Sequence, residues 1–356
     1  MLTIKHTFHI NKNTIFSDFL SEDVVLFDIE TTGFSPDISS LYLIGCLYRN
    51  NNCWNLVQWF ADDYQSEKDL LIHFFEFLSS FHIIVHYNGS GFDIPYLLNK
   101  CRKYKLSYDF SIIKSMDLYK EFSYLKSLLG LPNLKQKTIE NFLGVNRTDP
   151  YDGGELISVY SSYMQHKILS KPVKEELDTL LLHNEEDLLG LLSSSLLMHY
   201  KNFFKGSFTV SNAAIIGDTF HLGLTPDYVL AHSFHLEQTY YSISFTNNIT
   251  YIDIPITKAA LKHFYKNYKD YYYLPQEDTA IHKSVAAYVD NSYRQKAKAH
   301  NCYTLKAGMF LPQFKESFSP VFQTNYKSKP LYFELTDSFC NDPALLKAYL
   351  IGLFNK

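Results

Sequence analysis

Two carboxylates closing one apolar run dominate the chemistry open to this chain. Residues 24–33 read Val-Val-Leu-Phe-Asp-Ile-Glu-Thr-Thr-Gly. Alternate side chains of a strand share a face, so Asp28 and Glu30 point one way and Ile29 points back into the core. Two like charges ~4 Å apart at a near-surface dielectric repel by roughly 4 kcal/mol. A divalent cation with oxygen ligands is the simplest partner that makes such a pair tolerable.

Three further segments carry candidate acids and bases. Asn88-Gly-Ser-Gly-Phe-Asp93 places Asp93 where a glycine loop opens a helix; taken alone, an acid in a first turn does no more than complement the helix dipole. Leu182-His183-Asn-Glu-Glu-Asp187 is a polar break in a leucine-rich helix. Four positions apart on a helix is roughly 40° of rotation, so His183 and Asp187 share a face. Glu185 and Glu186 face elsewhere, although Glu186 also lies within reach of His183, and a solvated face is the ordinary explanation of such a break. Asp117, in Met-Asp-Leu-Tyr, ends a short extended run, and Asp149 and Asp152 flank a Pro-Tyr turn in which Asp152 reads as a turn or cap residue.

The elements that must position these groups follow from periodicity. After a polar N-terminal stretch, Val24–Ile29, Leu41–Tyr48 and Trp54–Phe60 read as three strands of an antiparallel meander. Glu67–Leu78 has helical spacing with Ser66 as N-cap, Ile83–Tyr87 is a strand, and a helix starts near Phe92. Ser111–Leu118 is a weaker strand, and Thr138–Leu143, Glu155–Tyr163 and Lys174–Tyr200 read as helices. This order predicts an α/β mixed sheet with flanking helices. Composition shifts near residue 205, and a smaller α+β C-terminal domain with a basic, tyrosine-rich stretch at 262–273 follows. The predicted division is an N-terminal extension 1–20, a domain 21–205 and a domain 206–356.

The succession D-x-E-T-T-G, N-G-x-G-F-D and H-x-x-x-D resembles the DEDD superfamily of 3′–5′ exonucleases on a ribonuclease H-like fold, and more closely the YprB-type ribonuclease H-like domain proteins. By that likeness Asp28, Glu30, Asp93 and Asp187 match the metal-binding carboxylates and His183 the general base. It implies two divalent ions, Mg2+ or Mn2+, with Asp28 bridging them, Glu30 and Asp187 completing one site and Asp93 acting through water. Thr31, Asn88, Gly91 and Phe92 are then the expected substrate contacts. Members with a histidine base usually have four residues between it and the last aspartate; here a histidine stands at the spacing usual for tyrosine. The run 271–282 has a looser likeness to the C-terminal region of YprB-type proteins, which carries no chemistry.

The expected activity is metal-dependent 3′–5′ exonuclease hydrolysis of single-stranded DNA or RNA, or of strands with a free 3′ end. The alternatives are a catalytically silent ribonuclease H-like module binding nucleic acid or a partner, and an endonuclease on structured or hybrid substrates. A net charge of −4 excludes bulk attraction to a polyanion, so contacts must come from local basic patches and bound metal. Arg294, Lys296, Lys298 and Lys306, set among Tyr293, Tyr303 and Phe310, form one such candidate patch for a single strand. Five cysteines without a C-x-x-C pair argue against a zinc cluster or a disulfide framework. No signal-peptide core and no apolar run near ~20 residues is present, so a soluble cytoplasmic protein is expected.

Overall fold

The computed structural model describes residues 1–8, 20–51, 53–151, 153–246 and 248–355, so most of the expected N-terminal extension and Asp152 lie outside it. The chain divides into two compact units, Met1–Lys201 and Asn202–Lys356.

Six strands of the first unit form one sheet: β1 (Leu2–Phe8), β2 (Val24–Thr31), β3 (Leu41–Asn50), β4 (Cys53–Phe60), β5 (Ile83–His86) and β6 (Lys114–Asp117), in the order β1-β4-β3-β2-β5-β6. The helices are α1 (Glu67–Leu78), α2 (Asp93–Lys103), α3 (Leu118–Phe122), α4 (Leu125–Leu128), α5 (Gln136–Phe142), α6 (Gly153–Ile168), α7 (Lys174–Ser194) and α8 (Leu197–Phe204). β2, β3 and β4 make the predicted antiparallel meander, while β5 and β6 join β2 in parallel. This is the mixed α/β sheet of a ribonuclease H-like fold. β2 is central and covered on both faces, which is why Val24–Phe27 is uninterruptedly apolar. Phe27 meets Phe74 of α1, whereas the next residue, Asp28, meets Asn184 of α7. Alternation along the strand therefore puts α1 and α7 on opposite faces of the sheet.

Several local expectations are corrected. Residues 2–8 are not an appendage: β1 pairs along its length with β4, its half-polar pattern being that of an edge strand. Ser66 stands at the N-cap of α1, but its hydroxyl donates to Asp63 (2.9 Å) and accepts from the N-terminal amine instead of from the helix. The run 174–200 is two helices, broken after Ser194.

The second unit is mostly strand. β7 (Phe208–Ile216), β8 (Thr219–Pro226), β9 (Phe234–Glu237), β10 (Ser242–Phe245) and β11 (Thr250–Pro255) form an antiparallel sheet ordered β7-β8-β11-β10-β9. β12 (Thr257–Phe264), β13 (Tyr271–Leu274), β14 (Thr279–His282), α9 (Lys283–Ala286), β15 (Gln295–Lys296), β16 (Tyr303–Gln313) and β17 (Leu331–Glu334) give two further sheets, β12-β16-β17 and β14-β13-β15. α10 (Asp337–Cys340) and α11 (Pro343–Phe354) close the unit, with Asp342 capping α11 by accepting from Ala344 and Leu345. The five cysteines are free thiols. No helix among the described residues is long and apolar enough to cross a membrane.

Candidate metal and nucleic-acid site

The site is assembled where β2 ends against α7. Asp28 sits opposite Gly45 of β3, and its Oδ2 accepts a hydrogen bond from Asn184 Nδ2 at 3.0 Å. Asn184 is fixed in turn by Gln58 Nε2, which donates to Asn184 Oδ1 (2.9 Å) and to the Leu181 carbonyl (2.9 Å). Only glycine fits at position 45: a Cβ there would lie 1.9 Å from Asn184 Oδ1 and 2.7 Å from a Leu188 methyl. After Glu30 the β2–β3 register shifts, a bulge that redirects the chain at the edge of the site.

α7 presents His183 one turn from Asp187, as the spacing predicts. His183 Nε2 lies 3.3 Å from Asp187 Oδ2 and 3.7 Å from Glu30 Oε1. Its Nδ1 lies 2.5 Å from Asp149 Oδ2, so the ring is held between carboxylates on both sides. Glu186 does not join this group. It points away and accepts from the Thr148 hydroxyl and from the backbone N–H groups of Thr148 and Asp149 (2.9 Å each), fastening the loop that carries Asp149. Arg147 in the same loop grips Glu140 with two donors (2.5 and 2.6 Å) and also donates to Asp187.

Asp93 opens α2 after the loop 87–92. Buried Asp117 accepts from the N–H of Asn88 (2.9 Å) and more distantly of Ser90 (3.4 Å), and His86 accepts from Gly89 (3.1 Å). Asn88 takes a φ of 58°, a left-handed turn that asparagine tolerates. Asp117 is thus a loop anchor. Gly91 donates to the Asn88 carbonyl at 2.8 Å, so every N–H from 88 to 91 has an acceptor, in the loop itself or at the ends of β5 and β6. With those N–H groups already paired, what Asn88 presents to the cleft it lines is its side chain. Thr31, half-buried, spends its hydroxyl proton on the Gly33 carbonyl at 3.0 Å.

Burial and mutual repulsion set the titration of the cluster. Burial first, then Glu30, Asp187 and Asp93, raise Asp28 well above the usual carboxylate range. Glu30 is raised for the same reasons, and Asp93 is pushed up to about 7, chiefly by burial. Asp187 goes the other way: burial would raise it, but His183 and Arg147 together hold it below its ordinary value. Burial alone would lower His183; hydrogen bonding and charge from Asp187 and Asp149 outweigh that and raise it.

Asp28, Glu30, Asp93, His183 and Asp187 line one open cleft of about 620 Å³, together with Asn88 and Phe92. One ligand atom each from Glu30, His183 and Asp187 fall within 4.8 Å of one another. Phe34, Tyr87 and Lys137 also line the cleft and were not anticipated. Phe34 is 90% exposed and touches Phe92 edge-on, a placement signalled only by its position one residue after Gly33. Asn184 and Arg147 gave no sequence signal, since the site carboxylates they touch, Asp28 and Asp187, lie far from them or on another element in the chain.

Residues 25–196 match a family model described as RNase_H superfamily. A DNA polymerase of Ostreid herpesvirus 1 is 34% identical over 50 residues, which are 14% of this chain and 3% of that protein. Among solved structures, the family B DNA polymerase of Pyrobaculum calidifontis aligns at 16% identity and TM-score 0.37, over 51% of this chain and 24% of that one. The zinc-bound exonuclease I–single-stranded DNA complex of Escherichia coli aligns at 14% identity and TM-score 0.29, over 58% of this chain and 55% of that one. The chain thus spans a small fraction of either polymerase and about half of the exonuclease.

Proposed function

We propose that the chain is a metal-dependent 3′–5′ exonuclease acting on single-stranded DNA or RNA in the cytoplasm. The observation that carries this reading is the convergence of Asp28, Glu30, Asp93 and Asp187 with His183 in one cleft. Its donor set fits hard divalent cations. The ligand atoms are overwhelmingly carboxylate oxygens, and Asp28 and Glu30 are raised in the way crowded carboxylates are when no cation offsets them. Two Mg2+ or Mn2+ ions bound there would activate water and stabilise the leaving oxygen of a phosphodiester. Asp28, Glu30 and Asp187 would hold them, with Asp93 at longer range.

The rest of the chemistry falls to the chain. Asn184 orients Asp28 by its hydrogen bond. Asp149 accepts the Nδ1 proton of His183, so Nε2, on the cleft side beside Asp187, is the nitrogen that would take the proton of the attacking water once its contact with Asp187 is released. Phe34 and Phe92 offer ring surface to a terminal base.

One observation favours a silent binding module: Arg147 and His183 already neutralise Asp187 without a metal. A single experiment separates the two. A 5′-labelled oligonucleotide incubated with the protein and Mn2+ should shorten as a ladder from its 3′ end, and a circular single strand should survive. Loss of shortening in Asp28→Asn and in chelator supports the enzyme. Absence of shortening in the wild type, or equal shortening by Asp28→Asn, removes it.

A further inference from the structure

The charge of this chain is unevenly distributed. Between residues 257 and 330 there are twelve Lys and Arg against five Asp and Glu, in a chain whose net charge is −4. This basic segment forms β12 to β16 and their connections in the second unit. It encloses an open groove of about 770 Å³, within the size range of small-molecule and nucleotide sites.

Aromatic rings make the walls. Phe264, Tyr265, Tyr268 and Tyr326 line the groove, none of them fully buried. Phe264 and Tyr326 meet edge-on with centroids 5.4 Å apart, while Tyr265 is backed by the stacked ring of Tyr271 at 4.5 Å. Backing of this kind fixes a ring so that its contacts cost little further entropy. Lys266 and Lys327 line the groove and are exposed. Lys327 Nζ sits 5.4 Å from the centre of the Tyr326 ring. Glu316, the one acidic lining residue among those described, pairs with Lys266 at 2.9 Å through a solvent-exposed bridge, a contact worth little and readily exchanged for a phosphate.

Flat rings flanked by lysines are how single strands are held without reading sequence: bases stack and phosphates pair with cations. We propose that this groove is a binding site for a segment of single-stranded nucleic acid, with bases against Tyr265 and Tyr326 and phosphates on Lys266 and Lys327. The inference deepens the exonuclease reading and rests on its substrate class, but the site needs neither the carboxylates nor metal. It gives an otherwise acidic chain a local means of attracting its polyanionic substrate.

The test is binding of a fluorescein-labelled dT20 to the full-length protein in chelator, read by anisotropy at several salt concentrations. Working in chelator separates this claim from the last one, because failure of hydrolysis leaves the binding measurement intact. Tyr326→Ala should weaken binding about fivefold or more, the lower end of the loss of one stacked base. Lys266→Gln with Lys327→Gln should weaken binding and flatten the slope of log K against log salt by about 1.4, at ~0.7 per phosphate contact. Both lysines and Tyr326 are exposed, so the fold should survive, and a matching circular dichroism spectrum shows that it has. Unchanged affinity and slope in these variants would overturn the proposal. So would an equal loss in Lys68→Gln with Lys171→Gln, exposed lysines of the first unit, since net charge alone would then explain the effect. Displacement of dT20 by ring-free polyphosphate as readily as by unlabelled dT20 would also overturn it.

Discussion

Replacing Arg147 by Met removes the cation from a buried carboxylate and tests whether this arginine is a structural counter-charge. Glu140 is 1% exposed and receives two donors from Arg147 and one from Gln136 at 3.0 Å. It has no path to water past α7, because a Cβ at Gly190 would already sit 1.9 Å from its Oε1. Breaking such a pair from one side costs about 3–5 kcal/mol, whereas replacing both charges by groups of similar volume is close to neutral. Arg147→Met should therefore lower stability by about 3–5 kcal/mol, and Glu140→Gln with Arg147→Met should recover most of it. For a body of this size each kcal/mol shifts the midpoint by about 2–4 °C, so the single variant should melt roughly 6–20 °C lower. Both tryptophans, Trp54 and Trp59, are buried in β4, so their fluorescence reports the unfolding of the first unit alone. A single variant within about 1 kcal/mol of the wild type, or a double variant no better than the single, would refute the counter-charge assignment.

The other consequences concern the cleft. Gly45→Ala should cost about 1–3 kcal/mol by overpacking against Asn184 and Leu188, and should also slow hydrolysis by displacing the donor to Asp28, both readable by melting and by oligonucleotide shortening. Asp149→Ala should lower kcat about 10–100-fold with KM nearly unchanged, as expected of a group that acts through His183, orienting it and raising its pKa; a rise in KM at constant kcat would place it in substrate binding instead. In chelator, stability should fall as pH rises: Asp28, Glu30 and Asp93 have folded values above their unfolded ones, so their contribution is complete below pH ~4 and is lost as pH climbs through the folded values, about 7 for Asp93. His183, also raised, loses its contribution in the same direction, while Asp187, which is lowered, loses its own only as pH drops through its depressed value. Added Mn2+ favours the ionised carboxylates, so it should raise the melting temperature more at pH 8 than at pH 5.5, and not at all in Asp28→Asn with Glu30→Gln.

What the sequence disclosed and what it hid divide along physical lines. β2 was legible because a strand buried on both faces is apolar until it reaches the two acids, and His183 with Asp187 was legible because four residues make nearly one helical turn. The break after Ser194 was not, since leucines stand on both sides of the short serine run 193–195 where it falls. β1 was hidden by its polar edge pattern. Asp149 was noted only as part of a turn, because nothing in a linear reading places it 2.5 Å from a histidine 34 positions away. Arg147 and Asn184 were missed for the same reason: Asp187 and Asp28, the site carboxylates they hold, are brought near only by the fold. The groove at Tyr265 and Tyr326 was half legible, as a basic and tyrosine-rich stretch without a shape.

The most direct test of the metal-dependent reading is an anomalous difference map from crystals of the full chain soaked in Mn2+ with a short oligonucleotide. Two peaks about 3.5–4 Å apart, within coordination distance of Asp28, Glu30 and Asp187, are the predicted result. Manganese absent from this cleft at saturating concentration, with Arg147 still seated on Asp187, would contradict it.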